Sequence, residues 1–338
     1  MLSRRMGNIL RIIVGEYITT GAPVGSDSIV RKHGLRVSSA TVRNDMARLE
    51  DDGYISHPHT SAGRVPSDKG YRYYLEQLME SEEMPPDEKR TILHQFHQVE
   101  GELEEWSRLA AAVLSRIVKN MVVITIPKAP VARFKRLELV SMRGVTVLVV
   151  LLLQDAKVKR QIVALPESLD QEALQLIAQR LNRLYDGLSA ALINTVTAEL
   201  SIFEREITAA VVKAMQSEDD MSSGELWVDG VRNLLGQREF SSSERVIQII
   251  DAVHDRTFVE SFYLYLPMGE VVTVIVGEEN PMDLLRECSL VMARYGPPES
   301  LSGAVGVLGP TRMHYAKTIA SVQYLSAVMS ELIAGHSF

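Results

Sequence analysis

The sequence predicts a multidomain protein of the α+β class, and three observations predict it. Its 338 residues exceed what one core of ordinary size organises. Its first 75 or so residues carry helical periodicities that end in a short hairpin pattern. Further along, strand-like runs fall into two groups separated by roughly 80 residues, the appearance of a domain interrupted by an insertion.

Composition sets the outer bounds. Hydrophobic residues at 46% and charged residues at 23% fit a soluble globular chain rather than a disordered one. The longest apolar run, Val145 to Leu153, is about half the ~20 residues of a membrane helix, so no membrane partner is expected. MLSRRMGNILRIIVGEY interleaves charge and apolar residues and does not read as a signal peptide. The only cysteine is Cys288, in an apolar context. It excludes an intrachain disulfide and a cysteine-based zinc site within one chain, reads as a packing residue, and makes the cytoplasm the expected compartment. The net charge of −7 divides unevenly: Met1 to Tyr74 carry 11 Lys+Arg against 7 Asp+Glu, and the remainder 25 against 36. A basic module on an acidic body suits a protein of which one part meets phosphate.

In the N-terminal module, Leu10, Ile13, Val14, Tyr17 and Ile18 mark one face of a helix that stops at Thr19-Thr20-Gly21-Ala22-Pro23. A second helix runs from about Ser26, a cap candidate, to His33, with Gly34 at its end. Ser38 or Ser39 caps a third, from Ala40 to about Asp51, in which Val42, Met46 and Leu49 face inward. Its opposite face presents Ala40, Thr41, Arg43, Asn44, Ala47 and Arg48. Arg and Asn are the side chains that make bidentate contacts to guanine and adenine in the major groove. Two helices joined by a tight turn, the second with such a face, form a helix-turn-helix. Tyr54-Ile55-Ser56 and Arg64-Val65-Pro66 then read as paired strands around the polar loop His57 to Gly63, a wing. Thr60, Ser61 and Arg64 are placed there to reach phosphate or the minor groove. Ser67 caps a further helix through Tyr74 and Leu75. The same pattern also fits a protein–protein module with Arg43 and Arg48 on a solvated face.

Pro85-Pro86 marks a linker into a long helix over 87–120. Strands follow at Met121 to Ile126, Phe134 to Ser141, Val145 to Leu153 and Val158 to Leu165, then a helix from Gln171 to Tyr185. Helices are expected at Glu204 to Met215, Leu226 to Leu235 and Ser243 to Val253. Strands return at Val271 to Val276, Ser289 to Arg294 and Ala304 to Leu308, before a closing helix from Met313 to Ala334. The three middle helices carry more apolar positions than they can bury alone, so a homodimer is the economical expectation. No GxSxG, HExxH or Walker sequence is present, so no catalytic residue, cofactor or metal is expected and the chain does not read as an enzyme. His57 and His59 have no third ligand in sight and read as wing residues. Gly303, Gly306 and Gly309 lack GxGxxG spacing and read as a strand-end turn.

YITTGAPVGSDSI, SSATVRNDMARLEDDGYISHPHTSAGRVPSDKGYRYY and, near the far end, GPTRMHYAK resemble the heat-inducible transcription repressor family, HrcA. The first two strings are nearly continuous over Tyr17 to Tyr74, and the third places the C-terminus in the same family. Over roughly 185–265 the match is by length and order only. The resemblance implies a repressor of chaperone genes that binds double-stranded DNA at an inverted-repeat operator as a dimer, supported by the GroE chaperonin. It implies a winged helix-turn-helix over 1–80, a discontinuous GAF-like α/β domain over 85–190 and 268–338, and an inserted, mainly helical dimerisation domain over 191–267. It implies DNA contacts by Ser38, Ser39, Thr41, Arg43 and Asn44 on the third helix and by Arg64 in the wing; Arg48, Thr60 and Ser61 join them as candidates from position. The alternative function is a metabolite-responsive repressor that uses a GAF-like ligand pocket.

Overall fold

The computed structural model describes residues 2–58, 63–99, 103–127, 131–154, 156–221, 226–240, 243–255, 258, 266, 272–297 and 301–335. The chain is of the α+β class and divides into two compact units. One comprises Met1–Ile126, Leu226–Tyr295 and Ala304–Met329; the other comprises Pro127–Glu225, Gly296–Gly303 and Ser330–Phe338.

The first unit opens with three helices, α1 (Arg4–Thr20), α2 (Ser26–His33) and α3 (Ser39–Asp51). The expected apolar stripe of α1 is buried at Leu10, Ile13, Val14 and Ile18, with Ile9 added, and meets Val42, Met46 and Leu49 of α3 in the same core. Each such aliphatic side chain contributes about 2 kcal/mol by leaving water. Gly21 ends α1 in the left-handed region at φ 62°, its N–H donating to Tyr17 O at 2.8 Å. Gly34 ends α2 at φ 59°, and Gly25 rather than Ser26 occupies the N-cap of that helix. Strands β1 (Ile55–Ser56) and β2 (Val65–Pro66) pair antiparallel, Ile55 opposite Pro66. Ser67 caps α4 (Asp68–Tyr73), which a π-helical turn, Tyr74–Leu78, continues.

The single helix read over 87–120 is two, α5 (Pro86–His97) and α6 (Leu103–Val118). At the end of α5 the N–H groups of Gln98 and Val99 fold back onto Gln95 O and Phe96 O. Then come the five strands of an antiparallel sheet of order β7-β3-β10-β9-β8: β3 (Met121–Thr125), β7 (Leu226–Asp229), β8 (Thr273–Val276), β9 (Cys288–Tyr295) and β10 (Gly303–Pro310). Against it, α10 (Val231–Leu235) and α11 (Ser243–His254) supply Leu234, Val246, Ile249 and Val253 to a core with Met121, Val123, Met292 and Leu308. Cys288 is buried in that core at 1% exposure, in the packing role its context suggests. The closing helix α12 (Tyr315–Gly335) buries Val322, Leu325 and Met329.

The second unit holds a three-stranded meander, β4 (Phe134–Ser141), β5 (Thr146–Leu153) and β6 (Val158–Ala164), with α7 (Gln171–Tyr185), α8 (Ala190–Ile193) and α9 (Ile202–Met221). Asp170 caps α7 through Ala173 N. Alternate residues of β4 and β5, among them Phe134, Leu137, Leu139, Val147, Val149 and Leu151, share one core with Leu174, Leu181 and Tyr185 of α7 and with Ile207 and Met215 of α9.

The insertion therefore differs from the expected 191–267, and the flanking 85–190 and 268–338 do not form one domain: residues 127–225, with 296–303 and 330–338, make the separate unit. Two misreadings combine. Among the described residues the strands at 134–164 pair only with one another, whereas β3 pairs with β10 and β7. The stretch 226–235, which reads as a helix, begins with β7, whose Val228 lies opposite Val123. Leu226-Trp227-Val228 suits a half-buried edge position in a sheet. Gly230, at φ 78°, then turns the chain into α10, and a Cβ there would lie 2.3 Å from Asn120 O. Gly303, Gly306 and Gly309 lie inside β10 rather than in a turn beyond it.

Candidate nucleic-acid interface

Ser38 sets the start of α3. Its Oγ accepts from Thr41 N at 3.2 Å and lies 3.0 Å from Thr41 Oγ1, so both candidate side chains build the N-cap as well as the exposed helix start. Ser39 is turned the other way: its hydroxyl donates to the Asp27 carboxylate and lies 3.2 Å from Ser26 Oγ. It ties α3 to α2 rather than pointing outward. From the next turns, Arg43, Asn44, Ala47 and Arg48 are exposed. Arg43, Asn44 and Arg48 form no side-chain hydrogen bond or ion pair among the described residues, which leaves their donors available.

What aims this face is an ion pair that sequence reasoning missed. Asp45, on the inner side of α3 and 3% exposed, receives Arg5 of α1 in a bidentate contact, Nε to Oδ2 at 2.6 Å and Nη2 to Oδ1 at 3.0 Å. Two parallel charge-assisted bonds fix orientation as well as distance, so α3 has a defined rotation about its axis against α1. The sequence held a signal: Asp45 follows Val42 by three residues and precedes Met46, within the apolar stripe, where a carboxylate needs a cation.

Arg64 stands at the base of the wing. Its backbone exchanges two hydrogen bonds with Val24, each 2.9 Å. Its guanidinium Nη2 lies 2.7 Å from Glu50 Oε2 of α3, its Nε is buried without a partner, and the side chain is 24% exposed. His57 Nδ1 meets the other oxygen of the same carboxylate. Burial pushes Glu50 upward, but hydrogen bonds and charge from His57 and Arg64 outweigh it and hold the carboxyl below its ordinary value. The cluster ties the β1–β2 hairpin to the C-terminal turn of α3 and leaves the Arg64 guanidinium engaged with Glu50. Gly63 permits the close approach of wing and turn, since a Cβ there would lie 2.6 Å from Val24 C and O. Thr60 and Ser61, with His59, lie outside the described residues.

Within the same unit this module meets the five-stranded sheet. Arg72 donates from Nη2 to Val274 O at 2.7 Å and from Nε to Glu279 Oε1 at 2.8 Å, and Glu278 N donates to Asp68 Oδ2 at 2.9 Å. The rings of Tyr71 and Tyr315 are 5.9 Å apart.

No group of three or more His, Cys, Asp or Glu among the described residues is arranged to hold a metal ion, and no described helix is long and apolar enough to cross a membrane.

Comparison with known proteins places these features in context. The family model described as "HrcA protein C terminal domain" matches residues 104–319. A heat-inducible transcription repressor HrcA of Dehalococcoides mccartyi is 42% identical over 99% of this chain and 96% of its own. That of Roseiflexus castenholzii is 40% identical over 98% and 95%. Among solved structures, a hypothetical protein whose crystal structure was determined at 2.2 Å superposes with a TM-score of 0.61, at 26% identity, covering 99% of this chain and 98% of its own.

Proposed function

Because this chain belongs to the HrcA family of heat-inducible transcription repressors, we propose that it represses chaperone genes by binding an inverted-repeat operator as a homodimer, through a winged helix-turn-helix over residues 1–80. The observation that carries this reading is the unpaired Arg43–Asn44–Arg48 face of α3, held in place by the bidentate contact of Arg5 with the buried Asp45 carboxylate. Arg43 and Asn44 read base edges in the major groove, while Ser38, Thr41 and Arg48 line the contact and Arg64, released from Glu50, meets the backbone. Thr60 and Ser61 remain proposed wing contacts from sequence. The test is affinity for operator and random duplexes. Arg43→Ala should cost about 1–3 kcal/mol on the operator and little on random DNA; equal losses on both would remove Arg43 from base reading.

Dimerisation belongs to the second unit. The outer face of its meander carries rows across the three strands: Val140, Leu148 and Ile162; Glu138, Val150 and Arg160; Arg136, Leu152 and Val158. Ile162 is 63% exposed and Val158 54% in the single chain. An apolar stripe flanked by both signs of charge is self-complementary across a two-fold axis, and a second copy would cover it. The five-stranded, GAF-like sheet packs side chains of β3, β9 and β10 against α10 and α11, which favours repression controlled by folding, with chaperonin support, over control by a ligand enclosed in that core.

A further inference from the structure

At one end of the five-stranded sheet, where α6 runs into β3 and β10 runs into α12, there is an open cleft of about 410 Å³, within the size range of small-molecule sites. Every charged side chain that lines it is basic: Lys119, Arg232 and Arg312, with His314 beside them. That is notable in a region of the chain where acidic residues outnumber basic ones, 36 to 25 after Tyr74. Lys119, Arg232 and His314 are exposed and form no ion pair among the described residues. Arg312 is held by Glu239, Nη2 to Oε2 at 3.1 Å.

The floor beneath these cations is a built polar network rather than loose surface. Asn233 Nδ2 donates to Ser115 O at 3.1 Å, and Gln237 Nε2 donates to Asn120 Oδ1 at 3.0 Å. Asn120, 4% exposed, is accommodated because Gly309 has no side chain: a Cβ there would lie 2.4 Å from Asn120 Oδ1. The 21-residue helix α12 starts immediately after His314, so its unpaired N–H groups add to the positive field.

We propose that this cleft binds a phosphate-bearing small molecule, held by Lys119, Arg232 and His314. Arg312 links the site to the DNA-binding module, because its guanidinium lies against the end of α1, with Nε 3.5 Å from where a Gly21 Cβ would stand. An anion in the cleft competes with Glu239 for Arg312 and so reaches the turn between α1 and α2. Binding in the cleft does not depend on the repressor reading, on which only the link through Arg312 rests, and its test uses no operator.

The experiment is equilibrium dialysis of the full chain against radiolabelled inorganic phosphate at constant ionic strength. Saturable binding of one phosphate per chain is expected. Lys119→Gly combined with Arg232→Ala should weaken it about tenfold or more, since each charge-assisted bond is substantial. Glycine suits the left-handed backbone at Lys119 (φ 55°), and an unchanged thermal midpoint would show that this variant folds. Arg232→Lys, which keeps the charge, should retain most of the binding. Arg143→Ala with Lys213→Ala, in the other unit, should leave it unchanged. Glycerol phosphate should compete with the label and a short random duplex should not; competition by the duplex alone would replace the small molecule with the DNA backbone and overturn the proposal. Unsaturable binding, or equal losses in the two double variants, would overturn it as well.

Discussion

Arginines in the first 75 residues do different jobs, and the carboxylates within reach decide which. Arg5 serves a carboxylate that is 3% exposed, Arg64 ties the β1–β2 hairpin to Glu50 of α3, and Arg43 and Arg48 have no side-chain partner among the described residues. The sequence distinguishes Arg43 through helical periodicity, because the apolar stripe of α3 fixes which side faces out. It does not distinguish Arg64, since Glu50 and His57 approach it only once the hairpin has folded back on α3. Glu50 has a measurable consequence. Its carboxyl lies below its ordinary value in the folded state, so its stabilising effect is fully present above the unfolded-state value and is lost as pH falls through the folded one. Glu50→Gln should therefore lower stability near neutral pH and flatten the acid side of the stability profile. Urea unfolding from pH 7 down to pH 3 reads this directly; a variant whose loss is the same at every pH would contradict the carboxylate's role.

At the scale of elements, local patterns were legible and pairings were not. The helix Gln171–Tyr185 and the strand Phe134–Ser141 lie where period and caps place them. The strand Leu226–Asp229 does not, because a four-residue edge strand is set by the neighbour that it pairs with rather than by its own period. Close approaches are equally invisible in sequence. A Cβ at Gly70 of α4 would lie 2.0 Å from Tyr54 O, a backbone atom. Gly70→Ala should therefore cost about 1–3 kcal/mol in denaturant unfolding, despite the usual preference of helices for alanine; a neutral result would mean that β1 and α4 are not packed this closely. The meander offers a second check. Ile162→Glu places a charge on a side chain that is already 63% exposed, so the chain should fold normally and sediment as a monomer. A persistent dimer would move the interface off this face.

For the whole molecule, the consequential feature is how far apart paired strands lie in the chain. Val122 of β3 pairs with Val307 of β10, and all of residues 127–225 must be accommodated between them. The apolar run Val145 to Leu153 sits instead in a meander of consecutive strands, where pairing is local. Non-local pairing in the first unit slows folding, while the apolar run, before it is packed, invites association on the way. On the proposed function, both would lengthen the interval in which a chaperonin raises the yield of active dimer, and heat that diverts the chaperonin to other clients would lower the number of competent dimers with affinity per dimer unchanged. The direct measurement is footprinting of DNA upstream of chaperone genes with the full chain, refolded alone and with chaperonin, while active dimer is counted independently. Two symmetric protected half-sites are expected, with the same midpoint per active dimer in both preparations and a larger active fraction with chaperonin. Protection no better than on random DNA, or a single protected half-site, would contradict an operator-binding dimer.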